Sequence, residues 1–386
     1  MKLNVNFQKI KPSGIRKLFD LAQGKKGLIS FGIGEPDFIT PLHIRDAAKK
    51  ALDEGYTRYT PNLGFPEFRE ALASKLRSKN NIPVSSDEVV VASGGTKALF
   101  FSFFSLLNPQ DEVIIPDPGF VTYESQVYFM GAIPVHLPLS GKNNFHPDLN
   151  KLRDCITSKT KAILLNSPSN PTGATFNKDE LMAIAKIAQE KDIFVISDEL
   201  YEDIIYDGRE HISIASFPGM KERTISIFGF SKSYAMTGWR LAYLAAPVYL
   251  VKEIAKLLQN TSVCANSIAQ RAGLAAIQGS QDCVLKMFTA YNERRNLLVK
   301  GINEIDGLSC HAPEGTFYVF VDINKTGKSA EEFSMYLLED YGVVTVPGTA
   351  FGPCGEGYIR LSFATSLDEI KEGIKKIKKG IEKIKK

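Results

Sequence analysis

The sequence predicts an α/β fold with a mostly parallel central sheet, followed by a smaller α+β region. In the central part of the 386-residue chain, short apolar runs rich in Val and Ile alternate with stretches of helical periodicity. This alternation is typical of βαβ units, whose parallel strands are covered by helices on both faces. The last third differs, because a long helical stretch precedes separate strand-like runs there. A chain of this length is expected to contain two or three domains.

The central elements are predicted from apolar runs and from the spacing of apolar residues. Runs of β-branched and other apolar residues predict buried strands at 88–92, 111–115, 161–165, 193–196, 224–228 and 241–246. Helices are predicted between them at 96–107, 123–130 and 179–191. In the last of these helices, Leu181, Ile184 and Ala188 recur at helical spacing.

The last third of the chain predicts an α+β arrangement. Helices are expected at 280–304 and 330–341, and strands at 316–321, 343–346 and 358–363. From Ile370 to Ile384, isoleucines recur at intervals of four, three, four and three residues, which predicts a terminal helix with one apolar stripe.

The N-terminal segment is expected to join this last third. Residues 12–27 precede the short apolar piece 28–31. The predicted division is therefore a large domain over 48–280 and a small, discontinuous domain over 1–47 and 281–386.

Charge and composition argue against several classes of protein. The formal net charge is +4, and much of the surplus lies in the lysine-rich C-terminal stretch, so nucleic-acid binding is not expected. We expect no signal peptide, because no apolar region follows Met1 and Lys2, and no membrane span, because no run of eighteen apolar residues occurs. Five scattered cysteines without metal-ligand spacing fit reduced thiols, which predicts a cytoplasmic protein without a bound metal.

Two polar motifs follow predicted strands of the central sheet. Asp198 and Tyr201 come after one strand, and Lys232 and Arg240 come after the next along the chain. Ligands of open α/β sheets bind outside the carboxyl ends of the strands. A carboxylate, a phenol, a lysine and an arginine at that edge indicate a charged, aromatic cofactor that bears a phosphate. Pyridoxal phosphate needs such a set.

Each of these residues also has a structural explanation when it is taken alone. An aspartate after a strand is more often a helix cap, and a lysine in a loop is more often a solvated surface charge. The inference therefore depends on further motifs in a compatible order along the chain.

Two such motifs are present at other strand-to-helix junctions. Gly94, Gly95 and Thr96 open a predicted helix, where free amides can approach an anion, although any tight turn can use glycines. The second junction is the stretch 166–173, which contains Asn170 followed by proline. An Asx turn explains that asparagine when it is taken alone, and a donor to a cofactor oxygen explains it functionally.

Taken together, these motifs resemble the class I and II aminotransferases, which are fold-type I enzymes that depend on pyridoxal phosphate. The resemblance runs from about Lys11 to the C-terminus. The stretches that carry it are Asn-Ser-Pro-Ser-Asn-Pro-Thr-Gly (166–173), Ser-Asp-Glu-Leu-Tyr (197–201), Gly-Phe-Ser-Lys-Ser-Tyr-Ala-Met-Thr-Gly-Trp-Arg (229–240) and Gly-Tyr-Ile-Arg-Leu-Ser-Phe (357–363). The opening Gly-Ile-Gly-Glu-Pro-Asp-Phe (32–38), with 56–64, is similar to the prokaryotic and archaeal aspartate and aromatic aminotransferases.

The resemblance implies a role in cofactor binding for each matched residue. Lys232 matches the lysine that forms a Schiff base with the cofactor, and Asp198 matches the partner of the pyridinium nitrogen. Tyr201 and Asn170 match the pair on the 3′-oxygen, and Phe120 matches the aromatic side chain stacked on the ring. The residues implied at the phosphate are Gly94, Gly95, Thr96, Ser231, Arg240 and, from the neighbouring subunit of a homodimer, Tyr59.

The resemblance also implies a substrate site and a reaction. Arg360 matches the arginine that clamps the substrate α-carboxylate, and Gly34 and Asn170 lie near that group. Lys232, once released from the cofactor, is the expected acid–base group, with Asp198 and Tyr201 as the other catalytic residues. The implied activity moves the amino group of an aspartate or aromatic L-amino acid to 2-oxoglutarate by a ping-pong mechanism.

Some alternatives remain open on the sequence alone. No arginine for a distal substrate carboxylate is found around 259–266, which leaves as candidates Asn260, Ser262, Asn266 and Lys97. A β-lyase or synthase would use the same fold and cofactor. A dinucleotide-dependent oxidoreductase is disfavoured, because Asp37 stands where the third glycine of its fingerprint belongs.

Overall fold

A computed structural model describes residues 5–10 and 27–384 of the chain. The expectations that concern residues 12–26, within the predicted small domain, lie outside the described residues. So does the end of the lysine-rich stretch, at 385 and 386.

The strands of the described residues fall into three sheets. In chain order they are β1 (Ile29–Ser30), β2 (Val89–Ala92), β3 (Glu112–Asp117), β4 (Ile133–Pro138), β5 (Thr160–Asn166), β6 (Phe194–Asp198), β7 (Thr224–Gly229), β8 (Ala242–Ala245), β9 (Ser309–Cys310), β10 (Tyr318–Asp322), β11 (Val343–Val344), β12 (Val346–Pro347) and β13 (Tyr358–Ser362).

The α-helices cover both faces of the largest sheet and flank the smaller ones. In chain order they are α1 (Val5–Gln8), α2 (Leu42–Asp53), α3 (Pro66–Lys79), α4 (Gly95–Leu106), α5 (Thr122–Phe129), α6 (Leu149–Asp154), α7 (Lys178–Glu190), α8 (Val248–Thr261), α9 (Ser267–Gln278), α10 (Asp282–Asn303), α11 (Ala330–Tyr341) and α12 (Leu367–Ile384). None of the described helices has the length and apolar character needed to cross a bilayer.

The largest sheet has the strand order β2-β8-β7-β6-β5-β3-β4. All neighbouring pairs are parallel except those of β8, which runs antiparallel to β2 and to β7. The predicted mostly parallel central sheet is confirmed, with each predicted strand within two residues of its observed bounds. The sequence analysis missed β4, an edge strand that carries Pro134 and Pro138. Proline cannot donate to a ladder and is tolerated at an edge, so β4 lacks the usual signal.

The C-terminal part contains a four-stranded antiparallel sheet in the order β12-β13-β10-β9. The strand predicted at 343–346 is in fact two strands in different sheets. β11 pairs in parallel with β1, whereas β12 pairs with β13. The apolar piece near the N-terminus therefore does pack with C-terminal elements. The sequence analysis did not predict helices α1, α2, α3, α6, α8 and α9.

The C-terminal helix α12 packs its apolar stripe against the short strands β1 and β11. Ile370, Ile377 and Ile381 are buried, as the spacing of the isoleucines predicts. Gly373 lies on the same face, where a β-carbon would meet the ring of the fully buried Phe31. A glycine in the middle of a helix is tolerated here because it allows this close approach.

We expect Gly373→Ala to destabilise the protein, although alanine is the better helix former. The added methyl group must displace the Phe31 ring from a close-packed site, which costs about 1–3 kcal/mol. The matched control is Gly380→Ala in the same helix, where the nearest atom to a β-carbon lies at 3.3 Å on the Tyr341 ring. That change should be neutral or stabilising by up to about 1 kcal/mol. Thermal midpoints measured under identical conditions test the difference, and equal midpoints would refute this packing argument.

Candidate active site

Eleven of the thirteen predicted site residues meet in one cavity at the carboxyl edge of the largest sheet. The cavity has a volume of about 390 Å³ and lies where β5, β6 and β7 end, facing β10 and β13 of the smaller sheet. The predicted residues that line it are Gly34, Gly95, Thr96, Phe120, Asn170, Asp198, Tyr201, Ser231, Lys232, Arg240 and Arg360.

A larger surface groove, of about 1060 Å³, lies elsewhere, between α3 and the start of α10. None of the predicted site residues lines it. Its lysines are already neutralised, because Lys75 pairs with Glu202 and Lys79 pairs with Asp203. The smaller cavity, which is lined by Asp198, Lys232, Arg240 and Arg360, is therefore the better candidate for an active site.

Asp198 ends strand β6 and is 3% exposed. Burial raises its pKa to about 6, against the lowering effect of a hydrogen bond from Tyr123. In that bond the Tyr123 hydroxyl donates to Oδ2 over 2.6 Å. A buried carboxylate with a single short hydroxyl donor is suited to pairing with a cationic group in the cavity.

Lys232 lies in the loop after β7, half-buried at the wall of the cavity. Its Nζ donates to the carbonyl oxygen of Gly34 and lies 5.7 Å from the centre of the Tyr201 ring. Burial lowers the pKa of Lys232 to about 8, and the positive charge of Arg360 adds to this effect. A lysine with such a pKa is neutral in an appreciable fraction of molecules near neutral pH, so it can act as a nucleophile or a base.

Arg360 lies on β13 and is only 2% exposed. Its Nη1 donates to the side-chain oxygen of Asn170 over 3.0 Å, and its Nη2 donates to the carbonyl of Gly32 over 2.7 Å. Its Nε is buried and makes no hydrogen bond to any described residue. A buried guanidinium held by neutral oxygens, with an unused N–H, fits a carboxylate that enters from the cavity.

An anion cradle forms where α4 begins. The first amides of the helix, those of Gly95 and Thr96, have no carbonyl one turn earlier to bond. Gly94 precedes them with φ +93°, and a β-carbon there would lie 2.5 Å from Nη2 of Arg240. Gly94 does not line the cavity itself, but its missing side chain lets the arginine reach the end of the helix. A phosphate fits this set of donors.

Tyr59, like Gly94, is a predicted site residue that does not line the cavity. Its side chain is 84% exposed and projects from the segment between α2 and α3.

Sequence reasoning missed several lining residues. They include Tyr123, Tyr318, Asn166, Thr237 and Glu35. Tyr123 follows Phe120 by three residues at the start of α5, a spacing that could have placed both on one side of the cavity. Tyr318 had no such signal, because its strand belongs to a different sheet from the strands that precede Asp198 and Lys232.

Comparisons with known proteins fit this geometry. The family model described as "Aminotransferase class I and II" matches residues 26–377, a range that includes every residue of the cavity.

The chain belongs to the class I and II aminotransferases.

Two similar proteins cover nearly the full length of this aminotransferase. The aspartate aminotransferase of Pyrococcus abyssi is 44% identical over 379 residues, with 97% of each chain covered. The aromatic-amino-acid aminotransferase 2 of Thermococcus litoralis is 43% identical over 379 residues, again with 97% of each chain covered. The solved structure of the aspartate aminotransferase from Thermus thermophilus with maleate superimposes with a TM-score of 0.93 at 37% identity, covering 98% of this chain and 100% of that chain.

These findings confirm the predicted fold class, the aminotransferase activity and the pyridoxal phosphate cofactor. They favour transfer over the lyase alternative, and they exclude the dinucleotide alternative. The donor set of the cavity fits the cofactor, because it combines an anion cradle, a buried carboxylate and a lysine with a lowered pKa.

We expect Tyr123→Phe to shift the pH dependence of cofactor binding by the aminotransferase. The change removes the hydroxyl that lowers the pKa of Asp198, so this pKa should rise above its present value of about 6. Only the ionised carboxylate pairs with a protonated ring nitrogen. When the pH is lowered, the affinity for pyridoxal phosphate should therefore fall at a higher pH in the variant than in the wild type. Absorbance titrations of the apoenzyme with pyridoxal phosphate at pH values above and below 6 give the midpoint of this fall in affinity.

The control is Tyr128→Phe in the same helix. Its hydroxyl donates to Glu124 over 3.2 Å and does not line the cavity, so the midpoint should not move. If Tyr123→Phe also left the midpoint unchanged, the hydrogen bond would not tune Asp198.

Proposed function

We propose that this aminotransferase accepts both dicarboxylic and aromatic L-amino acids and uses 2-oxoglutarate as the acceptor. The observation that carries this proposal is the distribution of cations in the cavity. The only lysine or arginine side chains among its described lining residues are Lys232, Arg240 and Arg360. Each of these has a role in the proposed site. None of the lysine or arginine side chains that line the cavity is therefore left to bind the distal carboxylate of a substrate.

The remaining walls of the cavity suit more than one side chain. Ile33, Leu99 and Phe120 supply apolar surface, and Ile33 is 41% exposed at the mouth. Thr237 supplies a hydroxyl, which donates to Glu35 over 2.9 Å. Apart from the Glu35 carboxylate, which Thr237 engages, these walls are apolar or neutral, and such a surface discriminates weakly between a ring and a carboxylate. Relatives named for aspartate and for aromatic amino acids are also about equally similar to this chain.

Lys97 is a poor candidate for the distal group. Its Nζ lies over the rings of Phe100 and Phe101, at 5.0 Å and 5.5 Å from their centres, and it does not line the cavity. Asn266 is engaged as the N-cap of α9, where its side chain accepts from the Ala269 amide over 2.8 Å. We therefore assign no charged group to the distal carboxylate.

The proposed cofactor site follows from the donor set. Asp198 would hold the ring nitrogen, Tyr201 and Asn170 the 3′-oxygen, and Phe120 the face of the ring. The phosphate would bind Gly95, Thr96, Ser231 and Arg240, with Gly94 giving Arg240 its room. When bound, pyridoxal phosphate supplies an aldehyde for an amine and a ring that stabilises negative charge on the neighbouring carbon.

The residues of this chain would then orient the substrate and move its proton. Arg360 would hold the α-carboxylate through its unused Nε and its Nη atoms, beside Gly34 and Asn170. Lys232 would take the proton from the α-carbon of the substrate and deliver it to the C4′ carbon of the cofactor. Its lowered pKa, about 8, supports this role, because a neutral amine is needed to accept a proton.

The proposed assembly is a homodimer with shared sites. The outward direction of Tyr59 supports this, because a tyrosine implied at a phosphate but 84% exposed is useful only to a second copy. Exposed apolar side chains at Ile39 (78%) and Leu42 (59%) also suit burial in a contact between subunits. We also propose a cytoplasmic enzyme, a location compatible with its five free thiols.

We expect aspartate, glutamate, phenylalanine and tyrosine each to convert the absorbance of the bound cofactor in single-turnover half-reactions. The physical reason is that all four share the α-carboxylate clamp and differ only where the cavity is adaptable. Alanine is the control, because it lacks distal groups and should react more slowly. Absence of turnover with every aromatic donor would contradict the proposed breadth.

We expect mixed dimers of two inactive variants to regain activity. Lys232→Ala keeps Tyr59, and Tyr59→Ala keeps Lys232, so a heterodimer has one complete site if Tyr59 acts across the interface. Random mixing should give roughly a quarter of wild-type activity at limiting cofactor, because half of the dimers are mixed and half of their sites are complete. Each variant alone is the control. If the activity of the mixture did not exceed that of either variant alone, Tyr59 would act in the site of its own subunit or in no site.

A further inference from the structure

Tyr318 brings a second phenol to the cavity, from the smaller sheet. It lies on β10, is 1% exposed, and lines the cavity beside Tyr201. The two hydroxyl oxygens are 2.9 Å apart, so one donates a hydrogen bond to the other. The residue has no role in the sequence-based assignment of the site.

The position of Tyr318 is fixed on each side. Its ring lies under the Arg360 guanidinium, 4.3 Å from ring centre to Cζ. It meets the Tyr201 ring edge-on, with ring centres 5.8 Å apart. On the third side, a β-carbon at Gly34 would lie 2.5 Å from the Tyr318 hydroxyl, so the glycine makes room for it. The hydroxyl therefore has little freedom to turn away from Tyr201.

The direction of the hydrogen bond between the two phenols decides which hydroxyl proton is available to the cavity. Burial raises the pKa of both tyrosines, so each is neutral and carries one hydroxyl proton. If Tyr201 donates to Tyr318, its only proton is used within the pair. If Tyr318 donates instead, the proton of Tyr201 is available to an acceptor in the cavity.

The charge of Arg360 favours the second arrangement. Arg360 lowers the pKa of both phenols relative to burial alone, and its guanidinium lies directly over the ring of Tyr318, where it withdraws electron density most strongly. A more acidic phenol is the better hydrogen-bond donor. A donor that itself accepts a hydrogen bond is also polarised and strengthened.

We propose that Tyr318 is a positioning residue that donates to Tyr201 and so directs the Tyr201 hydroxyl toward the 3′-oxygen of the cofactor. This inference rests on the roles proposed above for Tyr201 and Arg360. It gives β10 a function in the site beyond supporting β13, and it links the carboxylate clamp to the cofactor through one aromatic ring.

The direct test is Tyr318→Phe, which keeps the ring under Arg360 and removes only the hydroxyl. The readout is the midpoint of the pH titration of the bound cofactor's absorbance in the purified holoenzyme. A weaker donor stabilises the anionic 3′-oxygen less, so the midpoint should rise, by roughly half a pH unit for part of one hydrogen bond. kcat should fall a few-fold, whereas KM for the amino donor should change less than about twofold, because Arg360 is untouched.

The matched control is Tyr291→Phe. Tyr291 lies in the same apolar core and packs on Phe317, and its buried hydroxyl makes no hydrogen bond to any described residue. Its loss should leave the midpoint unmoved. An equal shift in Tyr291→Phe would show a general effect of core packing and overturn the inference.

The double variant Tyr201→Phe/Tyr318→Phe separates this inference from the proposed function. If Tyr318 acts through Tyr201, the second change adds no further shift to that of Tyr201→Phe. A full additional shift in the double variant, or an unmoved midpoint in Tyr318→Phe alone, would overturn the inference and leave the role of Tyr201 intact. An unmoved midpoint in Tyr201→Phe would instead refute the proposed role of Tyr201, and the inference with it.

Discussion

The site depends on a buried arginine that has no carboxylate partner among the described residues. Arg360 is held by the side chain of Asn170 and the carbonyl of Gly32, both neutral oxygens. Burying a cation is costly unless it is paired, so this arrangement favours an anion that completes it. The hydrogen bond to Asn170 also ties β13 of the smaller sheet to the loop after β5 of the largest sheet. One interaction thus joins the two sheets at the cavity and holds there a cation that a carboxylate would complete.

Burial also shifts the pKa values of two other charged groups that line the cavity, Asp198 and Lys232. It raises the pKa of Asp198 to about 6 and lowers that of Lys232 to about 8, so the two values move toward each other. The same low-polarity environment therefore serves opposite needs, an acid that remains ionised beside a cation and an amine that can be neutral. Tyr123 limits the shift of Asp198, and Arg360 contributes to that of Lys232.

The sequence predicted the parts of the site that lie on the largest sheet. Asp198 and Lys232 follow strands whose apolar runs were plain, so their meeting at one edge followed from parallel topology. Tyr318 could not be found in this way, because its approach depends on how β10 packs against a different sheet. β4 was missed because its prolines hide the strand pattern, and the run 343–346 hid two short strands that belong to separate sheets. Contacts between sheets depend on three-dimensional packing that periodicity along the chain does not encode.

The central claim is that one clamp, Arg360, receives the α-carboxylate of both classes of substrate. The most direct test measures the dissociation constants of maleate, a dicarboxylate, and 3-phenylpropionate, an aromatic acid, from the absorbance of the holoenzyme. In Arg360→Ala, with cofactor bound, both ligands should lose affinity by about tenfold or more, because each loses charge-assisted hydrogen bonds. Wild-type affinity for either ligand in this variant would show that its carboxylate is held elsewhere and would contradict the account.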